Sequence, residues 1–176
     1  AMDGLAKPVF VPEVIAHSLG MCVRFNGHVK HFYSVAEHCA LVAMLMKKYT
    51  GGDPFEGIMH DALEAYLTDV PSPIKRLLPD YKELDDHLDT QMRKQFGIGP
   101  KSKECKAADR LALFIEAHYL IPSGGANYQD PNGDRAEAQK LINETGLKIS
   151  CLPPDMASNL WMTVFHKLQA ERGPRI

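Results

Sequence analysis

The strongest constraint on the fold is a series of segments in which apolar residues recur at the three- and four-residue spacing of an α-helix. In one such segment the apolar positions are Tyr81, Leu84, Leu88, Met92 and Phe96. No run of residues shows the strict apolar–polar alternation of a half-buried strand. The sequence therefore predicts an all-α protein.

Capping residues indicate where the helices begin and end. Ser34 and Glu37 form an S-x-x-E capping box, and Asp53 with Glu56 forms a second one. The first of these helices should end at a pair of glycines and the second should run to about Leu67. Further helices are predicted over 13–19, within 70–79, over 80–96, 102–120 and 134–146, and after two prolines at 153 and 154. The loop 122–133 is long for a compact domain, which is typical of a functional lid.

Length and charge indicate one globular domain without an extended nucleic-acid interface. The chain has 176 residues and a net charge of −2, whereas broad nucleic-acid binding needs a basic surface. A local basic pocket for one phosphate remains compatible with this charge. We expect residues 1–12 to form an N-terminal extension, beginning with a cloning remnant at Ala1-Met2, and 13–176 to form the helical core with the C-terminal helices.

The four cysteines are scattered and include no C-x-x-C pair, which argues against a zinc ribbon or a redox dithiol. Cys39 and Cys105 occupy apolar helical positions and should behave as small core residues. The sequence shows neither a signal-peptide pattern nor an apolar run of the roughly 18 residues that a membrane span needs. We therefore expect a cytoplasmic protein that does not enter a membrane.

Four polar residues stand out because they fall on apolar helical faces: His38, His60, Asp61 and Asp109. Burying an unpaired carboxylate is costly, since ionised groups resist leaving water. Each residue alone has an ordinary structural explanation, such as a hydrogen-bonded core histidine or a salt bridge. A cation shared by three helical segments would satisfy all four residues together.

Two imidazoles and two carboxylates suit one divalent ion, with Mn, Co, Fe, Ni, Zn and Mg as candidates. Such an ion lowers the pKa of bound water toward neutrality. Glu64 lies one helical turn after His60 and is placed to act as a general acid or base beside the ion. Taken alone, Glu64 could equally be a solvated helix residue.

The arrangement of His38, His60-Asp61 and Asp109 resembles the H…HD…D pattern of HD-domain phosphohydrolases. The stretches "SVAEHCALVA" and "HDALEAYLTDVPSPIK" resemble the branch that contains bacterial 5′-deoxynucleotidases. The resemblance covers about residues 13–120 and implies an HD-domain helical bundle. It also implies that the four residues are metal ligands and that Glu64 is catalytic.

The resemblance implies further roles for residues near the motif. Asp69 would contact the nucleotide sugar or position the attacking water. Arg24 would grip the substrate phosphate, for which a guanidinium offers a rigid fork. Lys75 is a weaker candidate for the same rim, as are His28 and His31.

HD proteins with two metals carry extra histidines between the HD pair and the last aspartate. Here that interval contains only His87, within the charged stretch "KELDDHLD". One metal ion is therefore favoured, and oxygenase chemistry loses support.

The functional hypothesis is a metal-dependent phosphohydrolase that uses metal-activated water to cleave a phosphate ester of a small molecule. The favoured activity is that of a phosphomonoesterase on a (deoxy)nucleotide, as in a 5′-deoxynucleotidase. The alternative is a non-catalytic HD-type nucleotide-binding sensor or a partner-binding module. The exact substrate and the metal stay open, and a homodimer is suggested by the resemblance alone.

Overall fold

The computed structural model describes residues 8–68, 70, 72–75 and 77–173, with the backbone alone at 72 and 73. This part of the chain forms an all-helical compact domain, in agreement with the sequence prediction, and its only β feature is an isolated bridge between Val23 and Ser34. The predictions for Ala1-Met2 and Asp69 lie outside the described residues. The α-helices are α1 (Pro12–Met21), α2 (Val35–Leu45), α3 (Pro54–Met59), α4 (Glu64–Leu67), α5 (Ser72–Lys75), α6 (Pro79–Phe96), α7 (Lys103–Leu120), α8 (Asp134–Thr145) and α9 (Pro154–Glu171).

The first predicted capping box is present at the start of α2. The Ser34 hydroxyl accepts a hydrogen bond from the Glu37 backbone N–H at 3.2 Å, and the Glu37 carboxylate accepts one from the Ser34 N–H at 3.4 Å. The same carboxylate also accepts the N–H of Leu152 at 3.0 Å. One buried side chain thus caps α2 and attaches it to the segment that leads into α9.

The second predicted capping box was wrong in part. Asp53 does cap α3, accepting the N–H of Phe55 at 3.0 Å. Glu56 instead turns away from the helix start and accepts the Ser102 hydroxyl at 2.6 Å and Arg93 Nη1 at 3.3 Å. Its carboxylate therefore connects α3 to α6 and to the start of α7. The guanidinium and the hydroxyl stabilise this buried acid through charge-assisted hydrogen bonds.

The helix predicted from Asp53 to about Leu67 is interrupted over residues 60–63, which include His60 and Asp61. Helix α3 ends at Met59 and α4 begins at Glu64. Between them the backbone forms tighter bonds to the third residue back, for example from the N–H of Ala62 to the carbonyl of Met59 at 3.0 Å. Tightening of this kind within a helical segment often marks a functional hinge or a strained sequence.

The core lies on both sides of α2, which contacts α1, α3, α7 and α9. Its residues Cys39 and Ala43 join a cluster with α1, α3 and α9, while Val42 and Leu45 join a second cluster with α7 and α8. Cys39 and Cys105 are both buried, as predicted, and burial raises the pKa of the Cys105 thiol to about 11. Helix α2 is therefore the central element on which the others are placed.

Helix α9 holds α3 in position through its buried face. Trp161 is fully buried, and its indole N–H donates to the carbonyl of Ile58 at 3.1 Å. Phe165 stacks on Trp161, with ring centroids 5.1 Å apart. The buried face of α9 thus supports the helix that ends just before His60.

The loop over 122–133 is packed against the rest of the domain. Arg135 donates to the carbonyl oxygens of Gly125 at 2.9 Å and Tyr128 at 3.2 Å, and its guanidinium lies 4.8 Å from the ring centroid of Phe114. These contacts organise the loop from the start of α8. Its role as a lid stays a prediction.

No helix within the described residues combines the length and apolarity that crossing a membrane requires.

Candidate metal centre

The candidate metal centre is built around His38, which is fully buried near the start of α2. Its Nε2 atom lies 3.1 Å from His60 Nε2, 3.2 Å from Asp109 Oδ1 and 3.5 Å from Asp61 Oδ2. Two ligand atoms that each lie about 2.1 Å from one ion are separated by about 3.0–3.4 Å. The distances around His38 are therefore those of side chains that can share an ion.

His60 faces the same point from the turn after α3. Its Nδ1 lies 2.8 Å from the carbonyl oxygen of Gly57, which can only accept a hydrogen bond. Nδ1 therefore carries a proton, and in the neutral ring Nε2 presents its lone pair to the cluster. That lone pair lies 3.1 Å from Asp61 Oδ2 and 3.9 Å from Asp109 Oδ1.

The four predicted ligands therefore converge from three separate segments: α2, the turn after α3, and α7. Ligand atoms of His38, His60 and Asp109 all lie within 4.8 Å of one another, and Asp61 Oδ2 is within 3.5 Å of both imidazoles. The group formed by His38, His60 and Asp109 could hold a metal ion. His87 is not part of it, and no second group of this kind is found among the residues that the structure describes.

The sequence analysis missed Glu116, a fully buried carboxylate on α7. Its Oε1 atom lies 2.7 Å from His38 Nδ1, on the side of the ring opposite the ligand cluster. Glu116 is two helical turns after Asp109, so both residues lie on the same face of α7. That spacing, and its place between Ile115 and Ala117 in an apolar run, could have identified it.

Arg24 lies against these acids and lines neither of the two cavities described below. Its Nη2 is 3.3 Å from Glu116 Oε2, and its Nη1 is 4.0 Å from Asp61 Oδ2. The side chain is only 12% exposed. The residue predicted to grip a substrate phosphate therefore forms a buried ion pair with the protein itself.

The acids of the cluster are held in their charged form. Burial acts to raise the pKa of Asp61, but His60 and Arg24 outweigh it and lower that pKa far below its usual value. The pKa values of Asp109 and Glu116 are also lowered, because the interaction with His38 overcomes the effect of burial. Three carboxylates and one guanidinium leave the cluster with two uncompensated negative charges when both imidazoles are neutral.

This negative charge raises the pKa values of both imidazoles. Burial acts to lower the pKa of His38, but Glu116 and Asp109 raise it above the usual value. Burial likewise opposes the charged form of His60, yet Asp61 raises that pKa well above its usual value. A divalent cation carries the charge that would neutralise the cluster.

Two cavities adjoin the cluster. The first, of about 160 Å³, lies beside His60, Asp61 and Asp109 and has the cationic side chains of Lys101 and Lys106 in its wall. Arg93 also lines it but is paired with Glu56 and Asp89. Lys101 Nζ also lies 3.6 Å from Asp89 Oδ2. Cationic and acidic side chains therefore both line this cavity beside the candidate ligands.

The second cavity, of about 60 Å³, brings the predicted residues Glu64 and Lys75 beside His60 and Asp61. The Lys75 ammonium lies 2.7 Å from Asp85 Oδ2. Burial acts to lower the pKa of Lys75, but the bond to Asp85 raises it above the usual value. The structure thus places Glu64 next to the candidate ligands and Lys75 in the same cavity wall.

The two weaker candidates lie elsewhere. His28 lines a separate open depression with Val29, Lys30 and Pro122. His31 is exposed and is not part of the metal-binding group.

Together the fold and the site define an all-α protein with a histidine–aspartate cluster that could hold a metal ion. No protein-family model matches the chain. The chain is 36% identical over 171 residues to an uncharacterized protein, YfdR, of Escherichia coli (strain K12); the match covers 97% of this chain and 90% of that protein. The chain therefore belongs to the YfdR family.

Proposed function

We propose that this protein is an HD-domain metal-dependent phosphohydrolase that cleaves a phosphate ester of a small molecule. One observation carries the proposal: two imidazoles and two carboxylates from three segments point at one centre with ligand-like separations. Each of these atoms is, or can be, a hydrogen-bond acceptor. Acceptors that face each other need a proton or a cation between them, and the net negative charge of the cluster favours a divalent cation.

A divalent ion held there supplies a Lewis acid that makes water nucleophilic near neutral pH. Glu64 lines the cavity next to His60 and Asp61, where it would accept or donate a proton. Lys75, Lys101 and Lys106 line the adjoining cavities and would attract a phosphate to the centre. Ammonium groups near transferring phosphoryl oxygens stabilise the charge on them.

The shape of the site supports a small phosphate ester as substrate. A cavity of about 160 Å³ is smaller than the roughly 300–1,000 Å³ of pockets that enclose whole drug-sized ligands. It would take the phosphate and part of a sugar and leave the base near the surface. A (deoxy)nucleoside monophosphate fits this description, and the free thiols of the chain suit a reducing cytoplasm.

The test is a phosphate-release screen of deoxynucleoside and ribonucleoside monophosphates with Mn²⁺, Co²⁺, Zn²⁺ or Mg²⁺, after metal analysis of the purified protein. We expect about one bound ion per chain and metal-dependent phosphate release from at least one substrate. Asp61→Ala should abolish both the bound ion and the turnover. An exposed carboxylate on α6, Glu83, provides the matched control, and Glu83→Ala should change neither.

The same screen separates the enzyme from the alternative. A protein that holds metal and binds nucleotides tightly but releases no phosphate would be a nucleotide-binding sensor. A wild-type protein that binds no divalent ion would overturn the proposal as a whole.

A further inference from the structure

We propose that Glu116 is a positioning residue of the metal centre, which holds His38 with its Nε2 toward the ion, and that Arg24 is the buried counter-ion of Glu116. The inference rests on the metal centre of the proposed function and does not require hydrolysis. It assigns roles to Glu116 and Arg24, whose buried charges would destabilise the folded state if they were unpaired.

The first step is the tautomer of His38. The ring is fully buried, and its Nδ1 atom lies 2.7 Å from Glu116 Oε1. An ionised carboxylate only accepts hydrogen bonds, so Nδ1 must carry a proton. In the neutral ring Nε2 then keeps its lone pair, which faces His60 and Asp109 and is directed to where an ion would lie. Such a partner on the second nitrogen typically fixes ring orientation and raises the basicity of a metal ligand.

The second step is the charge of Glu116. The carboxylate is fully buried on α7, where an isolated charge would be unfavourable. Arg24 Nη2 lies 3.3 Å from its second oxygen, so one oxygen faces the imidazole and the other faces the guanidinium. Arg24 thereby allows Glu116 to stay ionised inside the protein.

The third step is that the chain holds Arg24 in this place at a conformational cost. The residues after it, Phe25 and Asn26, have φ values of 55° and 51°, which is unusual for a bulky aromatic residue. The backbone N–H of Arg24 donates to Tyr33 at 2.9 Å, and that of Lys30 donates to Leu120 at the end of α7 at 2.9 Å. Unfavourable backbone conformations persist where the surrounding structure holds them. The turn is therefore anchored to the helix that carries Glu116.

The main experiment compares Zn²⁺ affinity of Glu116→Gln with that of Glu37→Gln. Glu37 is the matched control because it is also a buried carboxylate, near the start of α2, but bonds to Ser34 and Leu152. Competition with a chromophoric chelator should show a ten- to hundredfold loss of affinity for Glu116→Gln. Glu37→Gln should leave the affinity within about twofold, because a glutamine at that position can still complete the capping box and does not contact His38 Nδ1. Equal affinities of Glu116→Gln and wild type would overturn the proposal.

A measurement on the wild type keeps the test independent of variant folding. In ¹⁵N-histidine-labelled protein with Zn²⁺, the His38 ring should show a protonated Nδ1 and a metal-bound Nε2. The reverse assignment would contradict the positioning role. A wild-type protein that binds no Zn²⁺ would overturn the metal centre and this inference with it, whereas Zn²⁺ binding without phosphate release would overturn only the hydrolase.

The role of Arg24 is tested by a double variant. If Arg24 neutralises Glu116, Arg24→Met should lower the thermal midpoint, and Arg24→Met combined with Glu116→Gln should lower it by less than the sum of the single effects. Additive losses would show that the two charges are not coupled. If Arg24→Met left the thermal midpoint unchanged and raised KM, Arg24 would act on the substrate. That result would overturn its assignment as the counter-ion of Glu116.

Discussion

At the scale of single residues, the site is defined by which atoms carry protons and which carry lone pairs. The carbonyl of Gly57 can only accept, so it assigns the proton of His60 to Nδ1. Asp61 and Asp109 add oxygen atoms that face the same centre. A cluster composed of hydrogen-bond acceptors is a binding site for a cation. Mutations can therefore distinguish the residues that bind the ion from the residue that transfers a proton.

That distinction gives a prediction for Glu64. Glu64→Gln keeps the size of the side chain but removes its ability to exchange a proton, and Glu64 contributes no atom to the metal-binding group. We expect the bound ion to remain while kcat falls by about 10²–10⁴-fold. Metal content by atomic emission and initial rates would be measured together. A Glu64→Gln enzyme with wild-type turnover would remove Glu64 from the proposed mechanism.

At the scale of helices, the site depends on the close approach of α3 to α2. Gly57 makes that approach: a Cβ atom there would lie 2.8 Å from the Ala43 Cα and 2.9 Å from the Met46 sulfur. His60 follows Gly57 by three residues, and His38 lies on the opposing helix. The spacing between the two imidazoles is therefore set by the absence of a side chain at Gly57.

The prediction at this scale is that Gly57→Ala weakens both stability and metal binding. The added methyl group must push α3 away from α2, and overpacking of this kind typically costs about 1–3 kcal/mol. Chemical denaturation and Zn²⁺ titration would measure the two effects. Gly99→Ala is the control, because no atom lies within 4 Å of a Cβ at that position. Wild-type Zn²⁺ affinity in Gly57→Ala would show that the helix spacing does not determine the site.

At the scale of the whole molecule, the ligands connect the two halves of the core. His38 is on α2, the HD pair follows α3 in the cluster with α1 and α9, and Asp109 is on α7 in the cluster with α8. An ion that bridges these segments binds the folded chain and not the unfolded one. Binding of this type stabilises the fold by mass action.

We therefore expect divalent metal to raise the unfolding temperature of the whole domain in one transition. A free ion concentration of 100 times Kd should add about 2.7 kcal/mol to the free energy of unfolding. Differential scanning calorimetry with and without a chelator would measure the shift. His38→Ala should lose it entirely, because three of the ligand contacts converge on that ring. A metal-induced shift that survives in His38→Ala would place the ion elsewhere.

The sequence by itself determined the all-α class, most helix ends and the four polar residues that meet at the centre. Caps, breakers and apolar spacing act within one or two helical turns, so they can be identified without the partner elements. Only the tertiary structure decided where long-range partners lie. Glu56 left its predicted cap for Arg93 and Ser102, and Arg24 paired with Glu116. A buried charge takes the partner that packing brings to it, and residues far apart in the chain supply that partner.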